Sequence, residues 1–142
     1  MEDYILITIP GEPMGKQRPR LGKGFTYTPT KTVNYETLVK LTMQQELQRW
    51  NKFDLLEGEI SAVIAAYYSI PKSANKKKKE LMLDGEIRPT KKPDCDNVAK
   101  IILDALNGIV YKDDSQIVDL TVHKFFGNQP RVEILIKSEV TK

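Results

Sequence analysis

The segment KPDCDNVAKIILDALNGIVYKDDSQIVDL (92–120) decides the expected fold, because it contains the clearest helical pattern in the chain. Its apolar residues recur at the spacing that places them on one face of a helix, and they are Val98, Ile101, Ile102, Ala105 and Leu106. Gly108 follows where a left-handed residue commonly ends a helix. Asn97, Lys100 and Asp104 fall on the opposite side. The segment therefore predicts an amphipathic helix with one buried face and one polar face.

Two acidic pairs flank this helix, Asp94 and Asp96 before it and Asp113 and Asp114 after it. Neighbouring carboxylates raise each other's pKa unless a cation offsets their repulsion. Mg²⁺ is such a cation, since it is bound through one or two carboxylates together with substrate phosphate and water. Taken alone, each pair also has a simpler explanation, with Asp96 as a helix N-cap and the second pair as an acidic turn. The helix spans ~18 Å, so the pairs meet only if the chain folds back, bends locally or forms a dimer.

The rest of the chain predicts a mixture of strands and helices. Strands are expected where apolar residues alternate or run together, over 4–9, 59–69, 116–126 and 131–138. A long helix is expected from a cap at Thr30, with the apolar stripe Tyr35, Val39, Met43, Leu47 and Trp50. A short basic helix is expected between a cap at Ser73 and a stop near Asp84 and Gly85. This order predicts an α+β fold with a small mixed β-sheet packed against helices.

Length and composition favour one compact domain over residues 1–142, since 40% of these residues are hydrophobic. The longest apolar run is far shorter than the ~20 residues that a membrane span needs. The amino terminus also lacks the basic region of a secretion signal. We therefore expect a cytoplasmic protein without a membrane segment. One cysteine and one histidine are too few for an internal disulfide or a closed zinc site within the chain.

Charge is unevenly distributed along the chain. Residues 16–40 and residues 72–92 each carry a net charge of +5, whereas residues 94–119 carry −4. Basic segments suit a polyanion, because each cation that neutralises a phosphate releases condensed counterions. The segment 15–31 is rich in glycine and proline and is expected to form a basic loop without regular structure. A solvated helix face also explains the run KKKK (76–79). The candidate DNA-binding residues are Lys16, Arg18, Arg20, Lys76, Lys77, Lys91 and Lys92.

Together, the helix and its acidic pairs resemble a known family. Residues 92–120 resemble the signature of the RusA family of Holliday junction resolvases, which reads Asp-x-Asp-Asn, a lysine four residues after the second Asp, Asp-Ala-Leu and Asp-Asp-x-Gln. The resemblance extends over nearly the whole chain, including a GKQRPR loop and YTP before the first helix. It implies a RusA-like fold. It also implies a metal-dependent endodeoxyribonuclease that acts as a homodimer on four-way DNA junctions in recombination and repair.

The resemblance further implies roles for individual residues. Asp94, Asp96 and Asp114 match the essential carboxylates, and Lys100 matches the essential basic residue, so these four are the catalytic candidates. The same three aspartates, with Asp113 as a fourth, are the candidate ligands of Mg²⁺, with Mn²⁺ as an alternative ion. The supporting positions of the motif are Asn97, Asp104 and Gln116.

Two other classes of function stay open at this point. A non-catalytic nucleic-acid-binding domain would explain the basic segments but would leave clustered aspartates facing phosphates without a purpose. A metal-dependent enzyme acting on a small phosphorylated substrate would use the aspartates but has little use for two basic segments. The chain also contains no glycine-rich phosphate loop of the P-loop type. The pattern as a whole therefore favours the nuclease.

Overall fold

This computed structural model describes residues 4–139 of the chain. These residues form three helices, six strands and one short 3₁₀ turn. In chain order the elements are β1 (Tyr4–Pro10), β2 (Arg20–Gly22), β3 (Phe25–Tyr27), α1 (Thr30–Arg49), β4 (Ile60–Ser69), α2 (Lys76–Leu83), α3 (Cys95–Ala105), the 3₁₀ turn (Asp114–Gln116), β5 (Ile117–Gly127) and β6 (Arg131–Ser138). No helix among these is both long and apolar enough to cross a membrane.

Four strands form a mixed sheet in the order β1-β6-β4-β5, in which β4 and β5 run parallel and the other neighbours run antiparallel. Side chains alternate between the two faces of each strand, so every second residue of β4 is buried, from Ile60 to Tyr68. Ile5, Ile7 and Ile9 of β1 are buried in the same core. Helix α1 packs against β1 and α3, and α3 also contacts β5. The prediction of an α+β fold with helices on a small mixed sheet is confirmed.

Helix α3 follows the predicted pattern closely. All five residues of its apolar stripe are buried, and they are Val98, Ile101, Ile102, Ala105 and Leu106. The helix ends at Ala105, and Gly108 adopts a positive φ of 77° two residues beyond the C-cap residue Leu106. The N-cap residue is Asp94 rather than Asp96, and its side chain makes no capping hydrogen bond. Capping therefore does not account for the carboxylate of either residue.

Three local predictions are wrong. Thr30 is the first residue of α1, and the N-cap position belongs to Pro29, which makes no side-chain cap. Asn75 rather than Ser73 caps α2, with its side chain accepting a backbone N–H of the first turn at 2.9 Å. Trp50 lies just past the end of α1 and is 61% exposed, so its ring does not extend the apolar stripe into the core.

The basic loop between β1 and α1 contains regular structure that its composition did not predict. Strands β2 and β3 pair antiparallel and form a two-stranded sheet that is separate from the main sheet. Each strand has only three residues, too few for a periodic pattern to show in the sequence. Gly24 closes the hairpin with a φ of 73°, a backbone conformation that glycine adopts without steric cost.

Candidate active site

Asp94 and Asp96 are exposed at the amino-terminal end of α3. The chain just before them is held from two sides. On one side the Tyr68 hydroxyl donates a hydrogen bond to the Pro93 carbonyl oxygen at 2.6 Å. Burial raises the pKa of Tyr68 to about 12, so this hydroxyl keeps its proton and remains a donor. On the other side Gly15 packs so closely that an added Cβ would lie 3.0 Å from the Pro93 Cβ.

Strand β5 provides a second attachment for the same segment. The Lys124 ammonium donates to the Lys91 carbonyl oxygen at 2.6 Å and lies 5.0 Å from the Tyr68 ring. The Arg88 guanidinium in turn donates to the Lys124 carbonyl oxygen at 2.9 Å and lies 4.4 Å from the Phe125 ring. These supporting residues were not among those predicted from the sequence. Lys124 nevertheless offered a clue. It pairs across the sheet with the buried residue Ala66, and a charged side chain on that face of β5 needs a specific partner.

A cluster of charged side chains lies toward the other end of α3. The Lys16 ammonium contacts the Asp104 carboxylate at 2.8 Å and the Glu36 carboxylate at 3.2 Å, which ties the loop after β1 to both α1 and α3. Lys100 lies one helical turn before Asp104, at 3.8 Å from the same carboxylate oxygen. Lys16 is one of the predicted DNA-binding residues. The structure shows that its charge is already offset by two carboxylates.

Asp114 joins this cluster through a hydrogen bond between its carboxyl group and that of Asp104. Burial raises the pKa of Asp114, and the hydrogen bond with Asp104 raises it further. Burial also acts to raise the pKa of Asp104, but the hydrogen bond from Lys16 and its charge outweigh burial, so this pKa is lowered. The two carboxyl groups of this coupled pair therefore have pKa values that are shifted in opposite directions.

Asp113 has a different role from its neighbour. Its exposed carboxylate accepts hydrogen bonds from the Ser115 side chain and from the Ser115 backbone N–H, the latter at 3.0 Å, and both bonds lower the pKa of Asp113. The Gln116 side chain accepts from the Asp113 N–H at 3.1 Å, which completes a capping box at the 3₁₀ turn. Gln116 also donates to the carbonyl oxygens of Leu56 and Gly58. Asp113 and Gln116 therefore stabilise the turn that presents Asp114.

The two acidic pairs lie toward opposite ends of α3. Asp96 and Asp104 are separated along the axis by ~12 Å, from the rise of 1.5 Å per residue, and Asp114 is bonded to Asp104. Within residues 4–139 no three acidic, histidine or cysteine side chains form a group that could hold a metal ion. Asp94 and Asp96 both lie at the amino-terminal end of α3, and the structure does not bring Asp114 to them within one chain.

An open groove of about 680 Å³ lies between the loop after β1 and the start of α3. Its charged lining is cationic and consists of Lys16, Arg18, Arg20, Lys31 and Lys92. Asn97, one residue after Asp96, also lines it. Lys31 was not among the predicted DNA-binding residues. The predicted residues outside this lining are Lys76, Lys77 and Lys91, which are all exposed. A groove with a cationic lining attracts a polyanion.

The chain is similar to known proteins over nearly its whole length. The family model described as endodeoxyribonuclease RusA matches residues 10–137. The chain belongs to the RusA family. It is also 41% identical over 141 residues to the uncharacterized protein YqaN of Bacillus subtilis (strain 168), with 95% of this chain and 96% of that protein covered. The predicted membership of the RusA family is thereby confirmed, and with it an endodeoxyribonuclease function. The roles of individual residues in this RusA-family protein stay predictions.

Proposed function

We propose that this RusA-family endodeoxyribonuclease resolves four-way Holliday junctions in DNA recombination and repair, with Mg²⁺ as cofactor and paired symmetric cuts by a homodimer. The observation that carries the proposal is the exposed pair of Asp94 and Asp96 beside a groove whose charged lining is entirely cationic. The groove supplies cations for the phosphates of one strand. The carboxylates beside it repel those phosphates unless a metal ion lies between them.

The donor set at the amino-terminal end of α3 fits Mg²⁺. Two exposed carboxylates, with water and substrate phosphate as further ligands, are how proteins usually hold this ion. Mn²⁺ is the alternative, since it shares the preference for oxygen ligands. When bound, such an ion activates water and offsets the charge that develops on the phosphate during hydrolysis. Asp94 and Asp96 would hold it, with Asp114 as the third essential carboxylate, while Asp113 keeps its capping role.

Lys100 is placed to act on the phosphate itself. It lies one helical turn after Asp96 on the exposed face of α3, and its ion pair with Asp104 is long, at 3.8 Å. Its ammonium is therefore free to bind the phosphate at which the strand is cut and to stabilise negative charge in the transition state. Asp104 also binds Lys16, so the position of Lys100 is coupled to the loop that lines the groove.

The two rival classes of function are less well supported. A non-catalytic nucleic-acid-binding domain leaves the exposed carboxylates beside the groove unexplained, and membership of a nuclease family speaks against it. An enzyme on a small phosphorylated substrate has no need for the exposed cations of α2. The experiment that tests the proposal also distinguishes it from these two classes of function.

That experiment compares labelled four-way, forked and linear DNA of matched sequence, incubated with the protein in Mg²⁺, in Mn²⁺ and in EDTA. The proposal expects cleavage of the four-way DNA alone, at symmetric positions in two strands, with none in EDTA. Binding without cleavage in either metal would support the non-catalytic domain. Equal cleavage of linear DNA would show a nuclease that does not select branches.

The four lysines that begin α2 provide a separate test of DNA binding. Lys76 to Lys79 are exposed, and cations near a helix amino terminus oppose the helix dipole. Replacing all four by alanine should weaken junction binding and lower the slope of log affinity against log salt by up to about 4. Alanine favours the helix, so unfolding does not explain a loss. A slope equal to that of the wild type would show that these lysines form a solvated helix face and do not contact phosphate.

A further inference from the structure

The hairpin formed by β2 and β3 carries large apolar side chains that the protein core does not use. Phe25 is 59% exposed and Tyr27 is 45% exposed. Leu21 on the facing strand is exposed as well. The hairpin is a separate two-stranded sheet, so these side chains are not covered by the main sheet. Exposed aromatic residues on a short basic hairpin are costly in water unless a partner covers them.

The two aromatic rings lie on one face of the hairpin together with a cation. Phe25 and Tyr27 are two residues apart on β3, and residues at this spacing share a face. The cross-strand partner of Tyr27 is Arg20, and that of Phe25 is Gly22. The ring centroids of Phe25 and Tyr27 are 6.0 Å apart. This face therefore combines two aromatic rings with one guanidinium group.

Gly22 permits the position of the Phe25 ring. A Cβ at residue 22 would lie 2.6 Å from the ring of Phe25, so any other residue there would displace it. The ring thus rests across the glycine of the facing strand while more than half of its surface stays exposed. Such a ring is a flat apolar surface in a defined position, which is what stacking on a planar ligand requires.

The charges around the hairpin indicate which planar ligand this is. Arg20 belongs both to the hairpin and to the cationic lining of the groove, and Arg18 and Lys31 extend that lining on either side of the hairpin in sequence. A strand whose phosphates follow these cations brings its bases to the adjacent aromatic face. Stacking of bases on aromatic rings beside a basic groove is a general mode of single-strand binding. A protein partner would not require cations in this arrangement.

We propose that the face formed by Phe25 and Tyr27 is a stacking site for an unpaired nucleobase at the branch point of junction DNA. This inference rests on the proposed function, since it assumes that the groove holds a strand of a branched substrate. It adds a site of recognition that the acidic pairs do not provide. Bases inside an intact duplex are already stacked on each other, so this site favours DNA in which a base can leave the stack.

The test measures base stacking without cleavage. Four-way DNA with 2-aminopurine at the branch point is titrated in EDTA, and its fluorescence reports the stacking of that base. Wild-type protein should change the fluorescence, and Phe25→Ala should remove most of this change and weaken junction binding by about 10-fold. Phe25→Trp should retain both. With 2-aminopurine placed in the middle of a duplex arm, wild-type protein should leave the fluorescence unchanged.

Phe53→Ala is the matched control. Phe53 is 74% exposed and lies beyond the carboxyl-terminal end of α1, ~30 Å of helix away from the hairpin. Its replacement should change neither fluorescence nor affinity. If wild-type protein binds four-way and duplex DNA equally, the proposed function fails. If it selects the junction but Phe25→Ala keeps the full fluorescence change, the stacking site is overturned while the proposed function stands.

Discussion

Replacing Asp94 or Asp96 by asparagine is expected to lower the rate of junction cleavage by roughly 10³-fold, the order of effect seen when one group that stabilises transition-state charge is lost. The same substitutions should leave junction binding intact or make it tighter, because each removes a negative charge beside the cationic groove. Asparagine matches aspartate in shape, and both side chains are exposed. The fold should therefore be preserved. Single-turnover cleavage and binding in EDTA measure the two effects separately.

Asp114→Asn should also slow junction cleavage and leave junction binding intact or tighter, although Asp114 lies in different surroundings. Asp114 shares a hydrogen bond with the carboxylate of Asp104, and burial together with this bond raises the pKa of Asp114. An asparagine amide donates a hydrogen bond from the same place, so the cluster with Lys16 should keep its arrangement. A loss of cleavage would then report the missing carboxylate and not a displaced loop. Thermal unfolding of the variant checks this point.

Asp119→Asn serves as the control for charge alone. Asp119 is an exposed acidic residue of β5, within the same acidic part of the chain but outside both pairs. Its replacement should leave the cleavage rate unchanged. Full cleavage by a variant at any of the three essential positions would show that the replaced residue does not belong to the active site. A loss of cleavage with Asp119→Asn would show that net charge, and not a set of ligands, explains the results.

The fold could be predicted where its signals are local. The apolar stripe of α3 lies within one helical segment, and the alternation in β1 and β4 lies within single strands, so neighbouring residues were enough. The predicted caps at Thr30 and Ser73 were wrong by one and two positions. At α2 both Ser73 and Asn75 are polar residues that can cap a helix, whereas α1 begins after Pro29 without any side-chain cap. The hairpin was missed because its strands are too short for periodicity.

The site could be predicted only in part, because much of it depends on contacts between distant residues. The acidic pairs and Lys100 were visible in one continuous motif. Lys16, however, binds carboxylates that lie 20 and 88 residues away in the chain. Lys124 likewise holds a carbonyl 33 residues away. The charge of both lysines can be read from the sequence, but their partners cannot. These partners decide whether a cation is available to DNA.

The separation of the acidic pairs leads to a prediction about the working unit. Resolving a junction requires two cuts related by approximate two-fold symmetry, and a homodimer supplies two sites at once. Within one chain, Asp94 and Asp114 lie toward opposite ends of α3. A dimer in which the two carboxylates come from different subunits would bring them into one site. We expect the protein to sediment as a dimer at assay concentration, with and without junction DNA.

Mixed dimers should show whether each site is shared. In a heterodimer of Asp94→Asn and Asp114→Asn subunits, a shared arrangement leaves one site with both carboxylates and one site with neither. Isolated by two different tags, this heterodimer should nick a cruciform plasmid at roughly half the wild-type rate per dimer, since one of two symmetric sites is intact. The product should be nicked circles and not linear DNA, whereas each homodimeric variant should be inactive.

An arrangement in which each chain supplies its own complete site predicts no nicking by the same heterodimer. If each chain supplies a complete site, both subunits of the Asp94→Asn and Asp114→Asn heterodimer are defective, and no nicking occurs. A heterodimer of wild type with Asp94→Asn keeps one working site in either arrangement, so its nicking shows that tagged mixed dimers are active. An inactive double-variant heterodimer beside an active control would therefore reject the shared site. Paired cuts by a protein that sediments as a monomer on DNA would reject the dimer itself.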